Sequence, residues 1–182
     1  MSNFDPGPLA EVTVDRRDDR WTLVFTREVG HRPDEVWSAL TDPDRLREWA
    51  PYTTDRDLDG LGPATLIMVD RDTREELATT VEIADRPSVL QYSWGDDVLR
   101  WELAPADGGR TRLTLHHTVA GPDWLPKVAA GWQICLAVAE RLLAGDPVGP
   151  IVGEDAMAHG WQDLHDAYAA RLGTTTSGAT EP

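Results

Sequence analysis

LVFTREVGHRPDEVWSALTDPDRLREWAP (residues 23–51) runs an alternating segment into a proline-started helix and then into a second short helix. Trp21, Leu23 and Phe25 fall on one side of residues 21–29 and Thr22, Val24 and Thr26 on the other, the period of two of a half-buried strand. Gly30 ends that strand. Pro33 stands near the first helical position, Asp34 and Glu35 suit the positive end of a helix, and Val36, Trp37 and Leu40 recur at helical spacing. Thr41 or Asp42 caps the second helix, Pro43 opens it, Leu46 and Trp49 share its buried side, and Pro51 stops it. Each helix closes its apolar face with a tryptophan.

Downstream, the period of two continues. Residues 65–69, 77–84, 89–94, 98–103 and 111–119 read as strands, separated by the charged turn 70–76, Arg86-Pro87, Gly95-Asp96-Asp97 and Asp107-Gly108-Gly109. Short turns between successive strands predict an antiparallel meander. Leu90, Tyr92 and Trp94 share one face with Leu99, Trp101 and Leu103 and with Leu113, Leu115 and His117, while Gln91, Ser93, Arg100, Glu102, Arg112, Thr114 and His116 take the other. A sheet with one aromatic face must cover it. Residues 124–144 supply the cover: Leu125, Val128, Ala129, Trp132, Cys135, Leu136, Ala139, Leu142 and Leu143 form a stripe, with Lys127, Gln133, Glu140 and Arg141 off it. Asp146–Gly153 reads as a linker or mouth loop, and Glu154–Leu172 as one further helix with Met157, Trp161, Leu164, Tyr168 and Leu172 on a single side. Gly131-Trp132-Gln133 and Gly160-Trp161-Gln162 echo each other, and the wider apolar stripe favours the first helix as the one lying in the sheet.

At the ends, residues 1–9 read as a loose tail, residues 10–14 as a short strand with a polar turn after it, and residues 173–182 as a disordered tail, leaving one domain over 20–172. The chain's 182 residues suffice for one domain with a real core. A net charge of −15 argues against phosphate backbones and anionic lipid surfaces as partners. No run of apolar residues is long enough to span a bilayer, and the first residues have neither a basic start nor an apolar stretch, so neither a membrane span nor a signal peptide is expected. The lone cysteine excludes an internal disulfide and fits the cytoplasm. Sixteen arginines against one lysine, with abundant Ala, Asp and Gly, fit a GC-rich bacterial genome.

These residues also resemble a family. Arg27, Pro33-x-x-Val36-Trp37-x-Ala39-Leu40-Thr41-Asp42-Pro43, Leu46 and Trp49 are similar to the opening of the SRPBCC superfamily, in the branch named for the C-terminal domain of the activator of the heat-shock protein 90 ATPase. Pro87-x-x-Leu90-x-Tyr92-x-Trp94, Trp101-Glu102-Leu103-x-Pro105, Gly109-x-Thr111-x-Leu113-x-Leu115-x-His117 and Ala130-Gly131-Trp132-x-x-Cys135-Leu136 extend the likeness over residues 20–145. The resemblance implies an α+β helix-grip fold: a curved antiparallel sheet wrapped around a long C-terminal helix, two short helices after the first main strand, and an extra terminal helix. It also implies a cavity between sheet and helix. Relatives of this type include lipid-transfer domains, polyketide aromatase/cyclases and antibiotic self-resistance proteins, some of them sacrificed to enediynes.

His116 and His117 point to opposite faces and cannot share a metal; His159 and His165 sit on different sides of their helix. His117 is either a core histidine bonded to a neighbour or a ligand-contacting proton shuttle. Cys135 is either an inert core thiol or, with a positive charge beside it, a reactive one. No nucleophile elbow, phosphate-cradling loop or dinucleotide fingerprint is present, so no cofactor and no metal are expected. Trp37 and Trp49 wedge the short helices against the sheet. The expected ligand-facing set is Trp94, Trp101 and Trp132 as ring platforms, Tyr92 and His117, with Arg27, as orienting polar groups, and Leu115, Cys135 and Trp49 completing the lining. The leading expectation is non-covalent binding or sequestration of a small hydrophobic or aromatic molecule, with a homodimer left open. The alternatives are an aromatase/cyclase-like enzyme using His117 as acid and base, and a co-chaperone-like interaction domain.

Overall fold

A computed structural model describes residues 4–69 and 75–173; most of the charged turn read over 70–76, and the tail beyond 173, lie outside these residues. Eight strands form one antiparallel sheet: β1 (Glu11–Arg17), β2 (Arg20–Val29), β3 (Tyr52–Thr54), β4 (Gly62–Met68), β5 (Glu76–Asp85), β6 (Val89–Trp94), β7 (Asp97–Ala106) and β8 (Arg110–Val119). The spatial order is β1-β2-β8-β7-β6-β5-β4-β3, so the last strand lies beside β2 while β3 to β8 follow one another as a meander. A register shift in β5 between Val81 and Ile83 adds local bend and twist to the curled sheet.

Register sets the inner face. Leu23 pairs with His117, His117 with Leu99, and Leu99 with Tyr92, while Phe25, Leu115, Trp101 and Leu90 form the next row across the same strands. All eight side chains are buried, whereas Arg100, Glu102, Thr114 and His116 face outward. The alternation read from the sequence is therefore the alternation of the sheet.

Between β2 and β3 lie α1 (Pro33–Thr41) and α2 (Pro43–Leu46). Asp42 caps α2 by accepting from the Asp44 amide at 2.9 Å. Trp37 and Trp49 are buried and their indole N–H groups are satisfied, Trp37 by the Asp59 carboxylate at 3.1 Å and Trp49 by the Ala39 carbonyl at 2.8 Å. That pairing lets two large amphipathic rings enter the core without an orphaned donor.

A single 3-10 turn (Pro122–Trp124) leads into α3 (Leu125–Leu143), about 28 Å long. This helix grips the sheet, as expected of the first of the two echoing segments. Arg27 on β2 bonds Glu140 on α3 at 2.5 Å, an ion pair with its arginine mostly buried. Burial on α3 is wider than the stripe, since Ile134, Ala137, Val138 and Gln133 are also enclosed. Gln133 corrects the reading that placed it off the buried side: its Nε2 donates to the carbonyls of Pro6 (2.6 Å) and Pro8 (3.0 Å), and its Oε1 accepts from Tyr168. Residues 6–10, read as a loose tail and the start of a strand, are thereby held against the helix.

The terminal helix also differs from expectation. It is two helices, α4 (Glu154–Ala158) and α5 (Trp161–Leu172), separated at Gly160, whose φ of +89° is a left-handed conformation that ends one helix before the next begins. Leu164 and Tyr168 of α5 pack inward, while Met157 on α4 stays half exposed. The whole is the helix-grip architecture.

Candidate functional site

Aromatic rings fill the space between the middle of the sheet and α3. Trp101 meets Trp132 edge-on at 5.2 Å and Trp49 edge-on at 6.3 Å; Trp94 meets Trp132 at 5.9 Å and Tyr52 at 5.3 Å. The enclosed hollow expected along this stretch is occupied by the rings themselves. Four indoles (Trp49, Trp94, Trp101 and Trp132) and two phenols (Tyr52 and Tyr92) projecting into this space are large enough to close on one another, and edge-to-face contacts favour that closure.

Two polar chains thread the cluster. In one, the Trp101 indole donates to the Tyr92 hydroxyl at 3.3 Å, and the hydroxyls of Tyr92 and Tyr52 share a short bond. Burial pushes Tyr92 up to about 12, and burial together with the Tyr92 neighbour pushes Tyr52 well above the ordinary tyrosine value. In the other, the Trp132 indole donates to His117 Nδ1 at 2.9 Å and His117 Nε2 lies 2.8 Å from an Asp97 carboxylate oxygen. An indole nitrogen is a donor only, so Nδ1 must present its lone pair and Nε2 must carry the proton given to Asp97. His117 is therefore the neutral Nε2–H tautomer, both nitrogens engaged, with Trp94 stacked beside its ring at 5.9 Å. Asp97, the first residue of β7, opens to water.

Beside this cluster lies a cleft of about 440 Å³. One wall is the first half of α3, through Lys127, Val128, Gly131, Trp132 and Cys135; Trp94 and Pro51 come from the sheet side. The opposite wall is the segment after α3, through Ile151, Ala156, Met157 and Trp161. The wall is almost wholly apolar, and its volume is that of a pocket for one small molecule. Cys135 contributes an uncharged thiol: burial pushes it up to about 12, away from reactive thiolate character.

Of the residues expected to face a ligand, Trp94, Trp132 and Cys135 line this cleft. His117 sits directly behind Trp94 and Trp132, while Tyr92, Trp101, Leu115 and Trp49 belong to the packed layer beneath. Arg27 is engaged with Glu140, away from the lining. Sequence reasoning overlooked Asp97, although it lies two residues before Leu99 in the same alternation and so points inward. It also missed Lys127 and Trp124 at the start of α3, and Ile151, Met157 and Trp161 across the cleft. Only the mouth-loop composition of residues 146–153 signalled that opposite wall.

The comparisons with known proteins bear on the fold. A family model described as Activator of Hsp90 ATPase homolog 1-like protein matches residues 31–144. No curated protein matches the chain. Among solved structures, CalU16 from Micromonospora echinospora is 23% identical with a TM-score of 0.68, over 88% of this chain and 96% of that one. The conserved protein of unknown function EF2215 from Enterococcus faecalis is 16% identical with a TM-score of 0.68, over 90% and 91%. A protein from Arthrobacter aurescens is 18% identical with a TM-score of 0.59, over 75% and 93%. At these identities the likeness is one of fold.

Proposed function

The chain belongs to the Activator of Hsp90 ATPase homolog 1-like protein family, of SRPBCC type, and on that premise we propose that it binds a small apolar or aromatic molecule non-covalently in the cleft between α3 and the segment 151–161. The observation that carries this reading is the cleft itself: one molecule-sized volume, apolar walls, and indoles from Trp94, Trp132 and Trp161 around it. Burial of a guest's apolar surface, at about 25 cal/mol per Å², supplies the affinity. Sequestration is favoured over turnover by the state of the two reactive candidates. Cys135 is held as a thiol, and His117 has both nitrogens occupied behind the cleft wall. The resemblance to self-resistance proteins makes polycyclic aromatic natural products the first compounds to try. Among the described residues no helix is long and apolar enough to cross a membrane.

Tryptophan emission and melting temperature, read against a panel of aromatic polyketides, flavonoids and fatty acids, test the proposal. A binder should raise the melting temperature and shift the emission. Gly131→Leu serves as the blocking variant, because Gly131 lines the cleft and an added Cβ there meets nothing within 4 Å. It should fold normally and lose the response. A panel in which no compound moves either signal defeats the reading.

A further inference from the structure

Among the described residues, only one that lines the cleft carries a formal charge. Lys127 is the sole lysine of a chain with 32 acidic and 17 basic residues, and it stands in the first turn of α3 at the cleft mouth. Its ammonium lies 4.8 Å from the centroid of the Trp124 ring. Among the described residues that indole is its counterpart and no carboxylate pairs with it. Glu154 and Asp155 of α4 are close in sequence to the opposite wall but lie off the lining. The lips are unusual as well: Trp124 is 54% exposed and Met157 is 52% exposed, two large apolar groups left facing water on either side of the opening.

We infer that the cleft selects an amphipathic monoanion, its apolar body lying along Trp94, Trp132 and Trp161 and its carboxylate- or sulfonate-type head held at the mouth by the Lys127 ammonium. The inference rests on the reading that the cleft binds a guest at all. A neutral guest leaves the ammonium partnered by the ring alone. An anionic head adds a charge-assisted bond while the body still buries the apolar lips. The −15 charge of the chain opposes an anion at long range, but beyond about 8 Å that field is screened at physiological salt, so the nearest charge decides. Because Lys127 is exposed, the gain is that of a solvent-facing pair, roughly three- to fivefold in affinity.

Two fluorescent probes sharing an aromatic body make the test: anilinonaphthalene sulfonate, which is anionic, and N-phenylnaphthylamine, which is neutral. Each is titrated into wild-type protein, Lys127→Met, Lys127→Arg and Gly131→Leu, with melting temperature confirming the fold of each variant. Lys127→Met should weaken the sulfonate roughly three- to fivefold and leave the neutral probe within about twofold; Lys127→Arg should restore the sulfonate. Gly131→Leu should exclude both. If Lys127→Met moves both probes equally, or neither, while Gly131→Leu still excludes them, the cleft binds its guests but the anionic selection is wrong. If neither probe binds, or both ignore Gly131→Leu, cleft binding fails and the anion inference falls with it.

Discussion

The Tyr168 phenol donates to the side-chain carbonyl of Gln133 at 2.6 Å, joining α5 to the middle of α3. The Ala10 amide donates to the same phenol at 2.9 Å and to the same Gln133 carbonyl at 3.3 Å, while Gln133 Nε2 holds the carbonyls of Pro6 and Pro8. Three segments far apart in sequence meet on one side-chain amide and one hydroxyl, both of them buried.

Removing that hydroxyl should be costly. Tyr168→Phe leaves the Ala10 amide with its longer contact alone and takes the best donor from Gln133. About 1–3 kcal/mol of stability should be lost, a drop in melting temperature of roughly 2–4 °C per kcal/mol for a domain of this size. Gln133→Leu should cost more, since it strips two backbone carbonyls as well. Thermal melts and hydrogen exchange at the Ala10 amide are the measurements; a Tyr168→Phe protein that melts with wild type and protects Ala10 equally would refute the hub.

The bond from Trp132 to His117 makes a spectroscopic claim. Nitrogen NMR at neutral pH should show His117 Nδ1 unprotonated and Nε2 carrying the proton. Trp132→Phe deletes the donor while keeping an aromatic ring, and should cost about 1–3 kcal/mol for the acceptor left buried. A proton found on Nδ1 in the wild type contradicts the arrangement outright.

Alkaline stability follows from three buried acids. The folded-state values of Cys135, Tyr92 and Tyr52 are raised, from 9.0 to about 12, from 10.0 to about 12, and well above 10.0. Below the unfolded values both states keep their protons and the stability is fully present. Above them only the unfolded chain ionises, so stability falls with rising pH until the folded groups ionise too. The loss begins near pH 9 for the thiol and near pH 10 for the phenols and runs towards about pH 12. Each group adds a slope of about 1.4 kcal/mol per pH unit within its window. Urea unfolding at about pH 8 and about pH 11 should show the decline, with a shallower one in Tyr92→Phe; a flat profile would remove the buried-phenol argument.

Cys135 should resist alkylation. A rise from 9.0 to about 12 cuts the thiolate fraction at neutral pH by about a thousandfold. Iodoacetamide followed by mass spectrometry should label the unfolded chain readily and the folded one hardly at all. Labelling of the native protein at the rate of a free thiol would mean that the cleft admits charge and water around the sulfur.

Most of the architecture is legible in the chain because it is written in short-range periods. Leu99, Trp101 and Leu103 face inward by alternation, and Trp132 and Leu136 face the sheet by helical spacing. The hub around Gln133 is not legible in that way. A glutamine off an apolar stripe reads as solvated, and its partners, Pro6, Pro8 and Tyr168, are chosen by tertiary approach. The inward set of Tyr92, Trp101, Leu115 and Trp49 shows the matching limit. Period tells which face a ring takes, but whether that ring borders a void depends on what packs opposite, and here another ring does. Lys127 is illegible for the same reason: a charged residue off the stripe becomes part of the cleft wall only because the chain after α3 folds back beside it.

Trp132 is shared property, for its side chain borders the cleft and its N–H holds His117. A guest that tilts this indole by a few degrees lengthens that bond without touching the imidazole. The carbon-bound protons of His117, beside the stacked Trp94, would then register occupancy from the far side of the wall, an internal gauge of filling that needs no label.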